Sequence, residues 1–304
     1  MVKKSSVAVL MATYNGMAWL PEQVESILSQ VDVDVKLIVS DDVSSDGSRA
    51  WLENLAKSDE RVKLLPEKPK SGSAGKNFYR LIKDADIEYC DFISFADQDD
   101  IWLIDKLIRQ IKQITTYSAD GVSSNVVAFW ADGTRYLVNK ASLLRKYDYL
   151  FESAGPGCSF TITTSLFGKL KLFLEISNPS ELPDLHDWFI YAFCRGCGGQ
   201  WHIDERPLLS YRQHESNVIG VAYGIKAKLK RLSHVKKGWY HHEVKKICRI
   251  VQTVTTDRQV FNICGHLIQL NLLDRFRFLL IAHQLRRSHV ERIYLALMIA
   301  SFIF

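Results

Sequence analysis

Apolar residues in the first part of the chain come in two alternating rhythms. Short β-branched or aromatic runs at residues 7–12, 35–40, 61–65 and 91–96 predict strands. Between and after them, spacing such as Trp19, Val24, Ile27 and Leu28 within 19–29 predicts helix, and the same rhythm returns in 49–57, 78–85 and 102–116. Strand-helix units in succession imply an α/β fold with a mostly parallel, doubly wound, Rossmann-like sheet. The rhythm then loosens. Residues 122–130 predict a further strand, 136–149 a basic helix-prone segment, 159–164 a β-rich run, 166–174 and 185–193 helices, and 200–204 and 208–211 short strands. From Gly224 the chain turns basic and helical, so the expected organisation is an α/β domain over 1–223 and a helical extension over 224–304.

The unusual polar residues gather where the strands end. The run Phe92, Ile93, Ser94, Phe95, Ala96 stops at Asp97-Gln98-Asp99-Asp100, three carboxylates within four positions. Ligands of open α/β sheets bind outside the carboxyl ends of the strands, so these acids form a candidate site for a hard cation and the polyanion it carries. Asp99 or Asp100 could also cap a helix starting near Trp102, but one acid satisfies that need. The first strand ends at Thr13-Tyr14-Asn15-Gly16, the second at Asp41-Asp42, and the third leads to the small-residue loop Ser71-Gly72-Ser73-Ala74-Gly75-Lys76 before a helix. That loop lacks the glycine spacing and the Lys-Ser/Thr ending of a Walker loop.

Composition narrows the partners. Hydrophobic residues make up 47% of 304, enough for a large core, and a net charge of +5 suits a polyphosphate ligand or an anionic surface without suggesting nucleic acid. The six cysteines are scattered through a chain too large to need disulfide staples, and Cys194 and Cys197 read as core thiols. The opening residues run straight into a strand pattern with no leader, which makes the cytoplasm the expected compartment. Residues 226–249 hold nine lysines and arginines against Glu243, interleaved with apolar residues, as in helices that lie on anionic lipid; the alternative is a solvated face packed on the enzyme. The apolar stretches 276–281 and 293–304 are too short to span a bilayer, so peripheral attachment or a partner interface, self-association included, is the expectation.

The motifs in order resemble family 2 of the inverting nucleotide-sugar glycosyltransferases, which have the GT-A fold. The matching pieces are Ala12-Thr13-Tyr14-Asn15-Gly16, Asp41-Asp42 with Ser44-Ser45-Asp46-Gly47, Gly75-Lys76-Asn77-Phe78, Asp97-Gln98-Asp99-Asp100-Ile101-Trp102, His186-Asp187-Trp188 and Tyr211-Arg212-Gln213-His214. They cover residues 7–220 and look most like the bacterial branch that builds O-antigen, capsule and cell-wall rhamnan. The resemblance implies Mg²⁺ or Mn²⁺ at Asp99, completed by His214, with Asp97 near the sugar or ribose. It implies a donor pocket of Thr13, Tyr14, Asn15, Asp42 and Gln98, with Lys76 and Arg212 along the diphosphate. Inversion needs a base opposite the leaving group. Asp187, at the start of an apolar helix, is the expected base, with Asp184 as its competitor and His186 structural. The implied donor is dTDP-rhamnose, or a UDP-hexose, and the implied acceptor a lipid-linked glycan at the cytoplasmic membrane face. Two rival readings are a non-catalytic nucleotide-binding scaffold and a nucleotidyltransferase, which would release pyrophosphate.

Overall fold

The first apolar run forms β1 (Ser5–Thr13), buried without a break from Val7 onward, as a strand covered on both faces must be. It pairs in parallel with β2 (Val33–Asp41) on one side and β4 (Phe92–Ala96) on the other, and β3 (Val62–Leu64) follows β2. These strands belong to a computed structural model that describes residues 4–214, 238–301 and 304. Helices α1 (Leu20–Leu28), α2 (Ser48–Ser58) and α3 (Ala74–Asp84) alternate with them. The core joins Val7, Val9 and Met11 of β1 to Leu37 and Val39 of β2, Leu20 and Ile27 of α1, and Leu52 of α2.

The sheet has seven strands in the order β10-β6-β9-β4-β1-β2-β3, where β6 is Gly121–Ser124, β9 is Thr161–Thr163 and β10 is Trp201–Asp204. Only β9 runs against its neighbours β4 and β6. A smaller sheet has the order β5-β11-β7-β8, made of β5 (Ile101–Trp102), β11 (Leu209–Arg212), β7 (Val126–Phe129) and β8 (Arg135–Val138). Gly121 is required by the first sheet: a Cβ there would stand 2.4 Å from the buried Trp201 ring.

Four expected elements differ. The helix expected over 102–116 is α4 (Lys106–Tyr117), because Ile101 and Trp102 pair with β11 instead. The acidic loop therefore leads into a strand, and none of its acids caps a helix. The strand expected over 122–130 splits into β6 and β7 in different sheets at Asn125, whose amide donates to the Glu205 carbonyl (2.7 Å) and accepts from the Lys140 N–H (2.6 Å). Residues 136–149 form no α-helix, since β8 pairs with β7 and only Asp148–Leu150 makes a short 3-10 turn. Helix α3 starts at Ala74, capped by Ser73, ahead of the expected 78.

The chain divides into two compact units. The first comprises Met1–Lys140, Gly155–Asn178 and Gln200–Val218, and includes both sheets and α5 (Thr164–Ile176); the second comprises Ala141–Ala154, Pro179–Gly199 and Ile219–Phe304. The boundary expected at 223/224 lies outside the described residues, as does the first half of the basic segment 226–249. Within the second unit, α6 (His186–Gly196) packs on α7 (Trp239–Val254), with Gly196 close enough to Val251 that a Cβ would be 3.2 Å from its methyl. Helices α8 (Arg258–Gln269), α9 (Leu272–Leu280) and α10 (His289–Ala300) follow. The buried Arg287 guanidinium is neutralised by Asp148 (3.3 Å) and Glu152 (3.2 Å). Among the described residues no helix is long and apolar enough to cross a membrane.

Candidate functional site

Because β1, β2 and β4 are parallel, the loops after Thr13, Asp41 and Ala96 open on one edge of the sheet. Gln98 ties two of them together. Its Oε1 accepts from the Thr13 hydroxyl (2.7 Å) and the Tyr14 N–H (2.8 Å), and its Nε2 donates to the Tyr14 carbonyl (3.1 Å). A Cβ at position 16 would lie 2.3 Å from Gln98 Oε1, which is why glycine stands there. Asn15 joins the β1 loop to the β2 loop: its N–H donates to Ser44 Oγ and its Oδ1 accepts from the Ser45 N–H, both at 2.8 Å. Asp41 accepts from Ser44 N–H and Oγ, a turn role. Asp42 accepts from the backbone N–H groups of Ser71 (2.5 Å) and Gly72 (3.1 Å), so it pins the small-residue loop to the end of β2. Lys70 donates to the Tyr14 hydroxyl at 2.7 Å, and Lys76 is exposed on the first turn of α3.

The acidic loop is closed by the chain's return through β11. Asp99 Oδ2 lies 2.7 Å from His214 Nε2, and the imidazole stacks on Trp19 with ring centroids 4.0 Å apart. Arg212 donates from Nε to the Asp99 carbonyl (2.8 Å) and from its backbone N–H to Asp100 Oδ1 (3.2 Å), while Nη2 pairs with Glu22. Its guanidinium therefore holds the protein's own loop. Asp100 is buried, and its Oδ2 has no hydrogen-bond partner among the described residues. Ligand atoms of Asp97, Asp100 and Cys158 lie within 4.8 Å of one another.

Burial pushes the Asp99 carboxyl above the usual range, against the pull of His214. Burial and the charges of Asp99 and Asp97 push Asp100 well above it. Beside these acids, the buried Cys158 thiol and the partly buried Tyr211 hydroxyl are pushed up as well, chiefly by desolvation. Crowded carboxylates in dry surroundings, one oxygen unsatisfied, fit a hard divalent cation. Behind the loop, Lys106 is fully buried, its ammonium bonded to Ser94 Oγ (3.1 Å) and Gln110 Oε1 (3.0 Å) and 3.6 Å from the centre of the Trp102 ring. Burial lowers its pKa to about 7.

The two candidate bases belong to the second unit. Asp187 opens α6, half-buried, with Oδ1 accepting from the Trp188 N–H at 2.7 Å. Asp184 is exposed but engaged on both oxygens, by the Trp239 indole N–H (2.8 Å) and by Lys246 (3.5 Å). His186 is buried, and burial lowers its pKa to about 3, so it is neutral near pH 7.

Sequence reasoning missed Trp19 as the partner of His214, the amides of Ser71 and Gly72 as partners of Asp42, the burial of Asp100 and the whole of Lys106. Such pairs are far apart in sequence and leave no local pattern; Gly16, beside Tyr14 and Asn15, was the one readable trace of a close approach.

Comparison with known proteins bears on this arrangement. The glycosyl transferase family 2 profile matches residues 8–176. The dTDP-rhamnosyl transferase RfbG of Shigella flexneri is 42% identical over 297 residues, 97% of this chain and 100% of that protein. Among solved structures, S. aureus TarS 1-349 in complex with UDP-GlcNAc superposes with a TM-score of 0.60 at 15% identity, over 90% of this chain and 73% of the other. The mannosyltransferase PcManGT from Pyrobaculum calidifontis, in complex with GDP-Man and Mn²⁺, gives 0.54 at 15% identity, over 99% and 81%.

Proposed function

We propose that this chain, which belongs to glycosyl transferase family 2, transfers L-rhamnose from dTDP-rhamnose, with inversion, to a lipid-linked precursor of a bacterial surface polysaccharide at the cytoplasmic face of the membrane. The chain is a nucleotide-sugar glycosyltransferase of GT-A fold. Identity to RfbG along nearly the entire chain supports the rhamnosyl donor. The observation that carries the chemistry is the acidic loop at the end of β4, with Asp99 2.7 Å from His214 and one buried oxygen of Asp100 unsatisfied.

In this reading Asp99 and His214 hold Mg²⁺ or Mn²⁺, the latter the ion found with the Pyrobaculum enzyme. A bound cation supplies Lewis-acid stabilisation of the nucleoside diphosphate as negative charge develops on it. Thr13, Tyr14, Asn15 and Asp42 line the nucleotide, Gln98 keeps their loop in register, and Asp97 faces the sugar. Lys76, exposed at the start of α3, takes the diphosphate. Arg212 contributes by fixing the Asp99–Asp100 backbone. Asp187 receives the proton of the acceptor hydroxyl on its carboxylate as that oxygen attacks the anomeric carbon. Asp184, with both oxygens engaged, is the weaker candidate for the base.

A donor screen tests this. With Mn²⁺ and membrane-extracted acceptor, the protein should release nucleoside diphosphate from dTDP-rhamnose, and Asp99→Ala should abolish release while melting like the parent. Release from a UDP-hexose alone would discard the rhamnosyl assignment. Nucleotide binding without release from any donor would favour a non-catalytic scaffold, and pyrophosphate as product would favour a nucleotidyltransferase.

A further inference from the structure

Helices α9 and α10 pack on each other in the second unit, and each carries a row of exposed apolar residues that no described residue covers. On α9, Leu272, Leu273, Phe276 and Leu280 are exposed, Leu273 at 72% and Phe276 at 63%, while Asp274 and Phe278 turn inward. At 3.6 residues per turn those four positions fall on one flank of the helix. On α10, Val290, Ile293, Tyr294 and Leu297 fall on one flank in the same way, and Leu295 and Ile299 are buried. Faces of long aliphatic and aromatic side chains on adjacent helices exceed the scattered apolar exposure normal for a soluble surface.

Charge selects what covers them. Residues 258–304 contain six arginines against Asp274 and Glu291. Asp274 is buried against His266 and the N-terminal cap of α9, and Glu291 is paired with Arg286. Arg277, its side chain 61% exposed, pairs with Asp274 at 3.5 Å, so the positive excess comes from the wider C-terminal segment, where residues 219–304 hold fifteen lysines and arginines against four acids. A second copy of this surface would oppose like charge to like charge. An anionic bilayer accepts the leucines and Phe276 among its acyl chains and the arginines among its headgroups, and Tyr294 brings a ring with a polar tip suited to that boundary.

We infer that α9 and α10 are an interfacial docking surface for anionic phospholipid, with Leu272, Leu273, Phe276 and Leu280 entering the headgroup boundary together with the outer face of α10. The inference rests on the lipid-linked acceptor reading for its purpose, but its measurement needs no turnover. The full chain is sedimented with vesicles of phosphatidylcholine alone and of phosphatidylcholine mixed with phosphatidylglycerol in equal parts. Binding is expected only to the mixed vesicles and should weaken with salt. A Phe276→Glu, Leu280→Glu variant and an Ile293→Glu, Leu297→Glu variant should each lose binding by at least about tenfold, while still binding nucleotide like the parent. Parent-like sedimentation of both variants overturns the proposal. So does a parent that is dimeric in the ultracentrifuge and ignores vesicles, with monomeric variants, because a second copy then covers the faces. Vesicle binding without nucleoside diphosphate release would leave this surface standing and strike the catalytic reading instead.

Discussion

Gln98 sits between two acids of the acidic loop, yet its amide is spent on the end of β1, where it satisfies Thr13 Oγ1 and both backbone groups of Tyr14. Gly16→Ala would drive its new methyl into Gln98 Oε1. The side chain can swing aside, but it then gives up bonds worth about 1 kcal/mol each. The expected outcome is a donor Kd raised about tenfold with a melting temperature close to the parent's, checked by calorimetry and a thermal melt. Gly16→Ala combined with Gln98→Ala should lose no more than Gln98→Ala alone, since both remove the same contact. For Asp187→Asn, donor affinity should stay near the parent's while transfer falls by about a hundredfold or more; equal losses in binding and transfer would argue against the base role. Which residue types cluster at the strand ends was legible in the sequence, because acid and small residues interrupt apolar runs there. What each one touches was not: Asp42 looked free for a ligand and is already bonded to Ser71 and Gly72, and Arg212 looked free for a diphosphate and holds Asp99.

At the level of elements, the parallel strands β1, β2 and β4 were legible because their buried stretches are written as unbroken apolar runs. The small sheet was not. Ile101 and Trp102 sit at the front of a helix-like pattern and could be told from it only by their pairing with β11, more than a hundred residues later. Residues 136–149 have helix-forming composition, but part of the segment is claimed by its pairing with β7, a tertiary choice that outweighs local propensity. The true start of α4 also delivers Lys106 into the core. Folded Lys106 titrates near 7, whereas lysine ordinarily titrates at 10.5. Between those values the unfolded chain binds the extra proton, so this group makes stability rise with pH across that window; below pH 7 its buried charge costs the fold in full. Lys106→Met should therefore flatten the pH dependence of urea unfolding between about pH 7 and 10, and an unchanged slope would show that the ammonium is not held in this state.

At the scale of the whole molecule, two histidines weaken the fold in acid. His186 and His241 are held neutral, with pKa values lowered to about 3 and about 4, chiefly by burial. In the unfolded chain both take up protons near the ordinary 6.5, so each loses stability for the fold as pH falls below that value. His186→Gln should reduce the loss of melting temperature between about pH 6.5 and 4, relative to the parent measured in the same buffers. The pairing of Asp99 with His214 adds a consequence in time. Those side chains are 115 residues apart, and β9 must be inserted between β4 and β6 before the main sheet is continuous. As the chain leaves the ribosome, β1 to β4 and their helices can assemble early, but the acidic loop stays open until β11 has emerged and returned to it. The acidic loop is thus among the last parts of the first unit to be completed, and a nascent chain stopped before Arg212 would carry its acids without the residues that hold them in place.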